Sequence, residues 1–182
     1  ITLAKILINH KNTDLNLRNA KGETALKVAI ENKIYEIIEI IINNDRFDPI
    51  ENQIDYLFYL AEYNSAKILI TSKFLDVNHQ FDFLSENNND FERTALINSA
   101  ENFDYKKVDL IINHPLFDKY KSDVITSIFI AVKNDDLIIF NKLIKFIDDD
   151  DINQENSFGE NLLSISVQNL NDQMIDFIFN NK

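Results

Sequence analysis

The sequence predicts an all-α fold, a row of about five full helix-pair repeats preceded by half a repeat. Three observations predict it. A short apolar phrase closing on Asn occurs five times, ending at Asn32, Asn64, Asn102, Asn134 and Asn169, with steps of 32, 38, 32 and 35 residues. A second apolar stripe follows each phrase at helical spacing. The 182 residues include only 2 Gly and 2 Pro, too few turn formers for a sandwich or barrel.

Each phrase reads as a first helix. A small residue stands three before the Asn (Ala29, Ala61, Ser99, Ala131, Ser166), and a large apolar one stands six before it (Leu26, Phe58, Leu96, Ile128, Leu163). Leu26, Ala29 and Ile30 then share one helical face, and the small residue admits a neighbouring helix. Thr24, Thr94 and Thr126 are placed to cap the helix start or to bond across the turn. With Gly scarce, the five Asn are expected at the left-handed residue that ends the helix, rather than as a ladder for a ligand.

A second helix follows. Its doublets are Ile37, Ile38, Ile41 and Ile42; Val108, Ile111 and Ile112; Ile139, Phe140, Leu143 and Ile144; and Met174, Ile175, Ile178 and Phe179. Such a broad stripe suits burial between two neighbours. After Asn64 only Ala66, Ile68, Leu69 and Ile70 remain, so that second helix is expected to be stunted, with a kink or disorder. Extended segments come next: Asp14-Leu15-Asn16, Asp76-Val77-Asn78 and Asp151-Ile152-Asn153, with Asp48 and Asp118 keeping only the acid. Gly22 and Gly159 hold equivalent turn positions where φ is expected to be positive, and Ile54, Glu92 and Val124 stand at that place in the other units.

These boundaries give a half repeat at 1–18 and repeats at 19–50, 51–79, 88–120, 121–154 and 155–182, with an inserted loop at 80–90 carrying Phe81 and Phe83, followed by Phe91. Residues 3–8 read as a second helix without its first, and the natural chain is expected to extend upstream, since an array needs polar end units.

The best-preserved stretch, Asn-Ala-Lys-Gly-Glu-Thr-Ala-Leu-Lys-Val-Ala-Ile-Glu-Asn-Lys at 19–33, resembles the ankyrin repeat, and the register of Thr, Leu, Ala and Asn extends that resemblance over the chain. The family's Pro is replaced by Ala25, Leu57, Ala95, Ser127 and Leu162, and its His by Lys27, Tyr59, Ile97, Phe129 and Ser164. The resemblance implies stacked helix pairs with loops projecting from one side. It also implies a non-catalytic module binding a partner protein or peptide on its concave and loop face. The contact positions it implies are Lys21, Glu23, Gln53, Asp55, Tyr63, Phe91, Arg93, Glu101, Asp123, Lys133, Phe158 and Glu160. Tyr63, Phe91, Arg93 and Phe158 are the expected anchors, because aromatic and Arg side chains dominate interface energetics. The alternative is a targeting or regulatory segment of a larger kinase or ubiquitin-system enzyme.

Composition narrows the partners. The net charge of −12 repels duplex nucleic acid and anionic lipid, and it favours a basic protein or peptide. There is no Cys, no run of eighteen apolar residues and no glycosylation acceptor, so a cytoplasmic monomer is expected, with the nucleus left open. Neither cofactor nor metal is expected. Asp149, Asp151, Asn153, Glu155, Ser157 and Glu160 fall on the spacing of an EF-hand calcium loop, but Gln154 replaces its obligatory Gly and polar Asn156 its apolar residue. His10, His79 and His114 lie far apart and read as surface or loop residues, and no nucleophile–base pair is evident.

Overall fold

The structure, a computed structural model, describes residues 1–83 and 91–180. Its contacts divide the chain into two compact units, Ile1–Val77 and Asn78–Lys182. The first holds α1 (Thr2–Asn9), α2 (Ala25–Glu31), α3 (Tyr35–Ile42), α4 (Ile54–Leu60) and α5 (Tyr63–Leu69). The second holds α6 (Ala95–Glu101), α7 (Tyr105–Ile112), α8 (Val124–Lys133), α9 (Leu137–Leu143), α10 (Leu162–Gln168) and α11 (Asp172–Asn180). The class is all-α. The one departure among the described residues is an antiparallel ladder of β1 (Phe81–Phe83) with β2 (Phe91–Arg93), pairing Phe81 with Arg93 and Phe83 with Phe91. It lies where an unstructured insertion was expected; the rest of that insertion, 84–90, lies outside the described residues.

No described helix exceeds ten residues, and helices this short are marginal in isolation. Packing must therefore hold them. Within the first unit α2 packs on α3, α4 on α5, and α3 lies between α1 and α5. Within the second, α6 packs on α7, α8 on α9 and α10 on α11, while α8 lies between α6 and α10. The expected stripes are what these contacts bury. Leu26, Phe58, Leu96 and Ile128 are sealed, as are Ile38, Ile41, Val108, Ile111, Ile139, Phe140, Leu143 and Met174. The last unit differs: Leu162 is buried in place of Leu163, and Phe179 is exposed.

Polar side chains start these helices. Thr24 and Thr94 accept from the backbone N–H of Lys27 and Ile97, and Asn161 and Ser164 form a reciprocal capping box. Thr126 does not cap. Helix α8 begins three residues earlier, and Asp123 accepts from Thr126 N instead. Ile54 and Val124, expected in turns, are the first residues of α4 and α8 and are fully buried. The left-handed residue has moved one place upstream, to Gln53 at φ 51° and Asp123 at φ 55°.

The helix ends correct the expectation for the recurring Asn. Asn32, Asn102, Asn134 and Asn169 have negative φ; the residue after each, Lys33, Phe103, Asp135 and Leu170, carries φ of 55–57°. The hydrogen bonds explain the shift. The small residue accepts from the second residue beyond the Asn: Ile34 N to Ala29 O, Asp104 N to Ser99 O, Asp136 N to Ala131 O and Asn171 N to Ser166 O. That is the Schellman arrangement, with Asn as the last helical-side residue. Freed from the left-handed role, the Asn amide reaches back: Asn32 Nδ2 donates to Val28 O and Asn102 Nδ2 to Asn98 O, both at 2.8 Å. Holding a non-glycine residue in this conformation costs roughly 1–2 kcal/mol.

Asn64 departs altogether. It is the second residue of α5, because α4 and α5 are joined by only Ala61 and Glu62. The connection is one residue shorter than the links elsewhere, and α4 is three residues shorter than α8, which starts at the matching place; α5 itself keeps seven residues.

Within each unit a side-chain amide, part-buried at Asn16 and buried at Asn78, joins neighbouring turns. Asn16 Nδ2 donates to Arg46 O at 3.0 Å, while its Oδ1 accepts from Asp48 N at 3.0 Å and Asn52 Nδ2 at 2.8 Å. Asn78 repeats the pattern: Nδ2 donates to Leu116 O at 2.7 Å, and Oδ1 accepts from Asp118 N at 2.9 Å and Ser122 Oγ at 2.6 Å. Asp48 and Asp118 thus stand where Asn stands in the alternate units, and they cap their own turns through the N–H groups of Ile50 and Tyr120. Asn153 is exposed, bonds only to Asp149 O, and closes a 3-10 turn at Asp151–Asn153, not an extended segment.

Replacing Asn78 with Ala leaves Asp118 N–H, Ser122 Oγ and Leu116 C=O without their shared partner. We expect a loss of about 2–3 kcal/mol by urea unfolding, while Asn153→Ala changes stability by less than about 0.5 kcal/mol. Equal effects of the two substitutions would contradict this account.

Candidate functional site

Two turns, ahead of α2 and α10, are braced by side-chain hydrogen bonds. In the first unit, Asn19 Oδ1 accepts from Lys21 N and Glu23 N, Asn19 Nδ2 donates to Glu23 Oε2 at 2.9 Å, and Gly22 turns the chain at φ 77°. In the second, Asn156 Oδ1 accepts from Phe158 N and Glu160 N, Asn156 Nδ2 donates to Glu160 Oε2 at 3.1 Å, and Gly159 turns at φ 73°. The two hairpins are copies. Neighbouring turns are tied as well. Arg18 donates to Gly22 O and to Glu51 O, and Gln80, at the matching place, donates to Lys121 O at 3.2 Å.

This bracing sorts the residues expected to meet a partner. Glu23 and Glu160 are half-buried and hold their hairpins closed. Asp123 caps α8, and Asp55 Oδ1 accepts from Asp76 N at 2.8 Å. Arg93 and Glu101 are brought together as an ion pair, both half-exposed. Tyr63 is half-buried at the start of α5. Gln53 and Lys133 are exposed, at the start of α4 and the end of α8. Lys21 and Phe158 stand at the outer tips of the two copied hairpins, Phe158 with 79 % of its surface in solvent. The Phe91 and Phe83 side chains lie outside the described residues.

Residues that the sequence reading passed over stand at the tips of the alternate turns. Ile50 is 83 % exposed and Tyr120 is 68 % exposed, each two residues after the Asp that accepts its N–H. The signal was present as a second repeated phrase, Asp48-Pro-Ile-Glu-Asn-Gln53 beside Asp118-Lys-Tyr-Lys-Ser-Asp123. Beside Tyr120 lies a charged knot. Lys119 Nζ sits 4.5 Å from the Tyr120 ring centre and within 3.3 Å of both Asp148 and Asp151. Its pKa is driven above the usual lysine value by these hydrogen bonds, Tyr120 first, then the two carboxylates, against the opposing effect of burial.

Little here points to acid–base or metal chemistry. Among the described residues no group of three His, Asp or Glu is placed to hold a metal. The calcium-like spacing folds instead into the 3-10 turn and the Asn156 hairpin. His10 and His114 each accept a backbone N–H through Nδ1, and burial lowers the His114 pKa. Lys107 is a buried amine on α7, pushed down to about 8 by burial despite the opposing charge of Asp104. At the other end of the first unit, an apolar trough of about 540 Å³ runs between α1 and α2, lined by Ala4, Leu7, Ile8, Ala25 and Val28. No described helix is long and apolar enough to cross a membrane.

Neither the known family models nor the curated proteins include a match to this sequence.

Glu62, which joins α4 to α5, supplies a pH test of the shortened connection. Burial raises its pKa, but hydrogen bonds from Asn64 N, Ser65 N and Ser65 Oγ, with Lys33 nearby, outweigh this and hold it below the ordinary 4.5. A depressed carboxylate contributes stability above its unfolded pKa, and that contribution disappears as pH falls through the folded value. The stability gap between the native chain and Glu62→Gln, followed by urea unfolding, should be constant above about pH 6 and close below about pH 4. A gap unchanged down to pH 3 would remove the carboxylate from this role.

Proposed function

We propose that the chain is a diverged ankyrin-repeat array and a non-catalytic protein-interaction module. It binds a partner protein or peptide through its turn tips. The observation that carries this is the division of labour in the turns. Their polar side chains are consumed in bracing, yet each leaves a large apolar or cationic side chain in water: Lys21 and Ile50 in the first unit, Tyr120 and Phe158 in the second. A rigid turn presenting Tyr or Phe loses little conformational entropy on binding, and such side chains supply most interface energy. Exposed apolar residues scattered over a surface need no explanation; exposed side chains at matched places, Ile50 with Tyr120 and Lys21 with Phe158, do.

The partner is basic. The net charge is −12, and exposed Asp148, Asp149 and Asp150 adjoin the turn bearing Tyr120 through Lys119. Such a field accelerates encounter with a cationic protein and disfavours nucleic acid and anionic membranes. The array acts as a monomer in the cytoplasm or nucleus.

The test is affinity capture with the intact protein, followed by affinity measurement with the purified partner. Tyr120→Ser and Phe158→Ser should each weaken binding at least tenfold without altering the unfolding midpoint. The association rate should fall steeply as salt rises from 50 to about 300 mM. A partner of acidic character, or binding indifferent to both substitutions, would defeat the proposal.

A further inference from the structure

A second row of side chains lies where the first helices end. Helices α6, α8 and α10 pack in sequence, α8 between the other two. Each ends in the same Schellman turn, so the left-handed residue that follows occupies one repeated place: Phe103, Asp135, Leu170. Two of these three choices are doubly unfavourable. The conformation favours Gly or Asn, yet the sequence supplies Phe and Leu. Those side chains are also in water, Phe103 at 46 % and Leu170 at 83 % exposure. A residue that strains its backbone and buries little contributes nothing evident to the fold; strain of this kind concentrates where a ligand is held. Between them Asp135 is exposed, and its carboxylate accepts from the Asn171 side chain. The row therefore runs apolar, acidic, apolar.

We propose that Phe103, Asp135 and Leu170 form a docking ridge for an extended partner segment carrying an apolar side chain, a Lys or Arg, and a second apolar side chain. This rests on the interaction reading above and adds a second contact line to it. The spacing follows from the packing. Adjacent helices lie about 8–10 Å apart, so the two apolar anchors are about 16–20 Å apart. A polyproline-II segment rises about 3.1 Å per residue with three residues per turn, which sets the partner's apolar residues about six apart on one face with the cation midway on that same face. Charge complementarity selects the cation: Asp135 is flanked by Asp136, whose Oδ1 is already committed to the N–H groups of Ile138 and Ile139, and the chain as a whole is acidic.

The experiment exploits a difference in sign. Phe103→Gly and Leu170→Gly relieve the left-handed strain, so each should raise the urea midpoint of the protein while weakening binding. The probe is the synthetic peptide Ser-Leu-Ser-Ser-Lys-Ser-Ser-Leu-Ser, titrated into the full chain and followed by amide chemical shifts. Saturable shifts at Phe103, Asp135 and Leu170 are expected, weakened at least tenfold by either Gly substitution and abolished by Asp135→Lys. A peptide with Glu in place of Lys should not bind. The absence of saturable shifts, or unchanged affinity in the double Gly variant, overturns the ridge. The turn-tip surface is judged separately: a captured partner that loses affinity to Tyr120→Ser and Phe158→Ser but not to the Gly variants keeps the interaction module and discards the ridge.

Discussion

One side-chain amide at each of two junctions, part-buried at Asn16 and buried at Asn78, governs how this chain holds together. Asn16 and Asn78 each satisfy a carbonyl, an N–H and a second side chain from the following repeat. A turn buried under its neighbour carries backbone groups that water cannot reach, and each must find a partner. One Asn provides for several of them at once, because it is both donor and acceptor. Leu15 and Val77 sit immediately before these amides and are buried. The apolar step and the polar lock are therefore a single device, and the short helices depend on it because none is stable by itself.

Much of the architecture was legible because helical burial has a fixed period. Leu26, Ile41, Val108 and Leu143 are sealed where their spacing placed them. What the period could not reveal is which of two local roles an Asn adopts. Asn tolerates the left-handed conformation and also caps backbone carbonyls; in Asn32 and Asn102 the second role prevails, and the next residue takes the strain. Asn64 was misplaced for a different reason. Alignment of phrases sees a deletion, not where the backbone absorbs it, and here α4 ends three residues sooner than its counterpart α8 and the loop is one residue shorter, while α5 kept its length.

The candidate surface was only partly legible. Turn positions in general could be named from the repeat register, but a polar residue in a turn is as readily a brace as a contact. Glu23 and Glu160 close their hairpins, Asp123 starts a helix, and Arg93 is engaged by Glu101. Deciding between the roles requires knowing where the neighbouring Asn points, which depends on φ at Gly22 and Gly159. Ile50 and Tyr120 escape a reading keyed to Gly because their turns lack it, although Asp48 and Asp118 brace them.

The amide lock occurs at alternate junctions, Asn facing Asp48 in one instance and Asp118 in the other, with Asn52 and Ser122 as matched donors. A gene that lost or copied a single repeat would set two Asn-type edges, or two Asp-type edges, against each other. These amides would then be stranded. Changes in length that keep both locks matched therefore add or remove two helix pairs together.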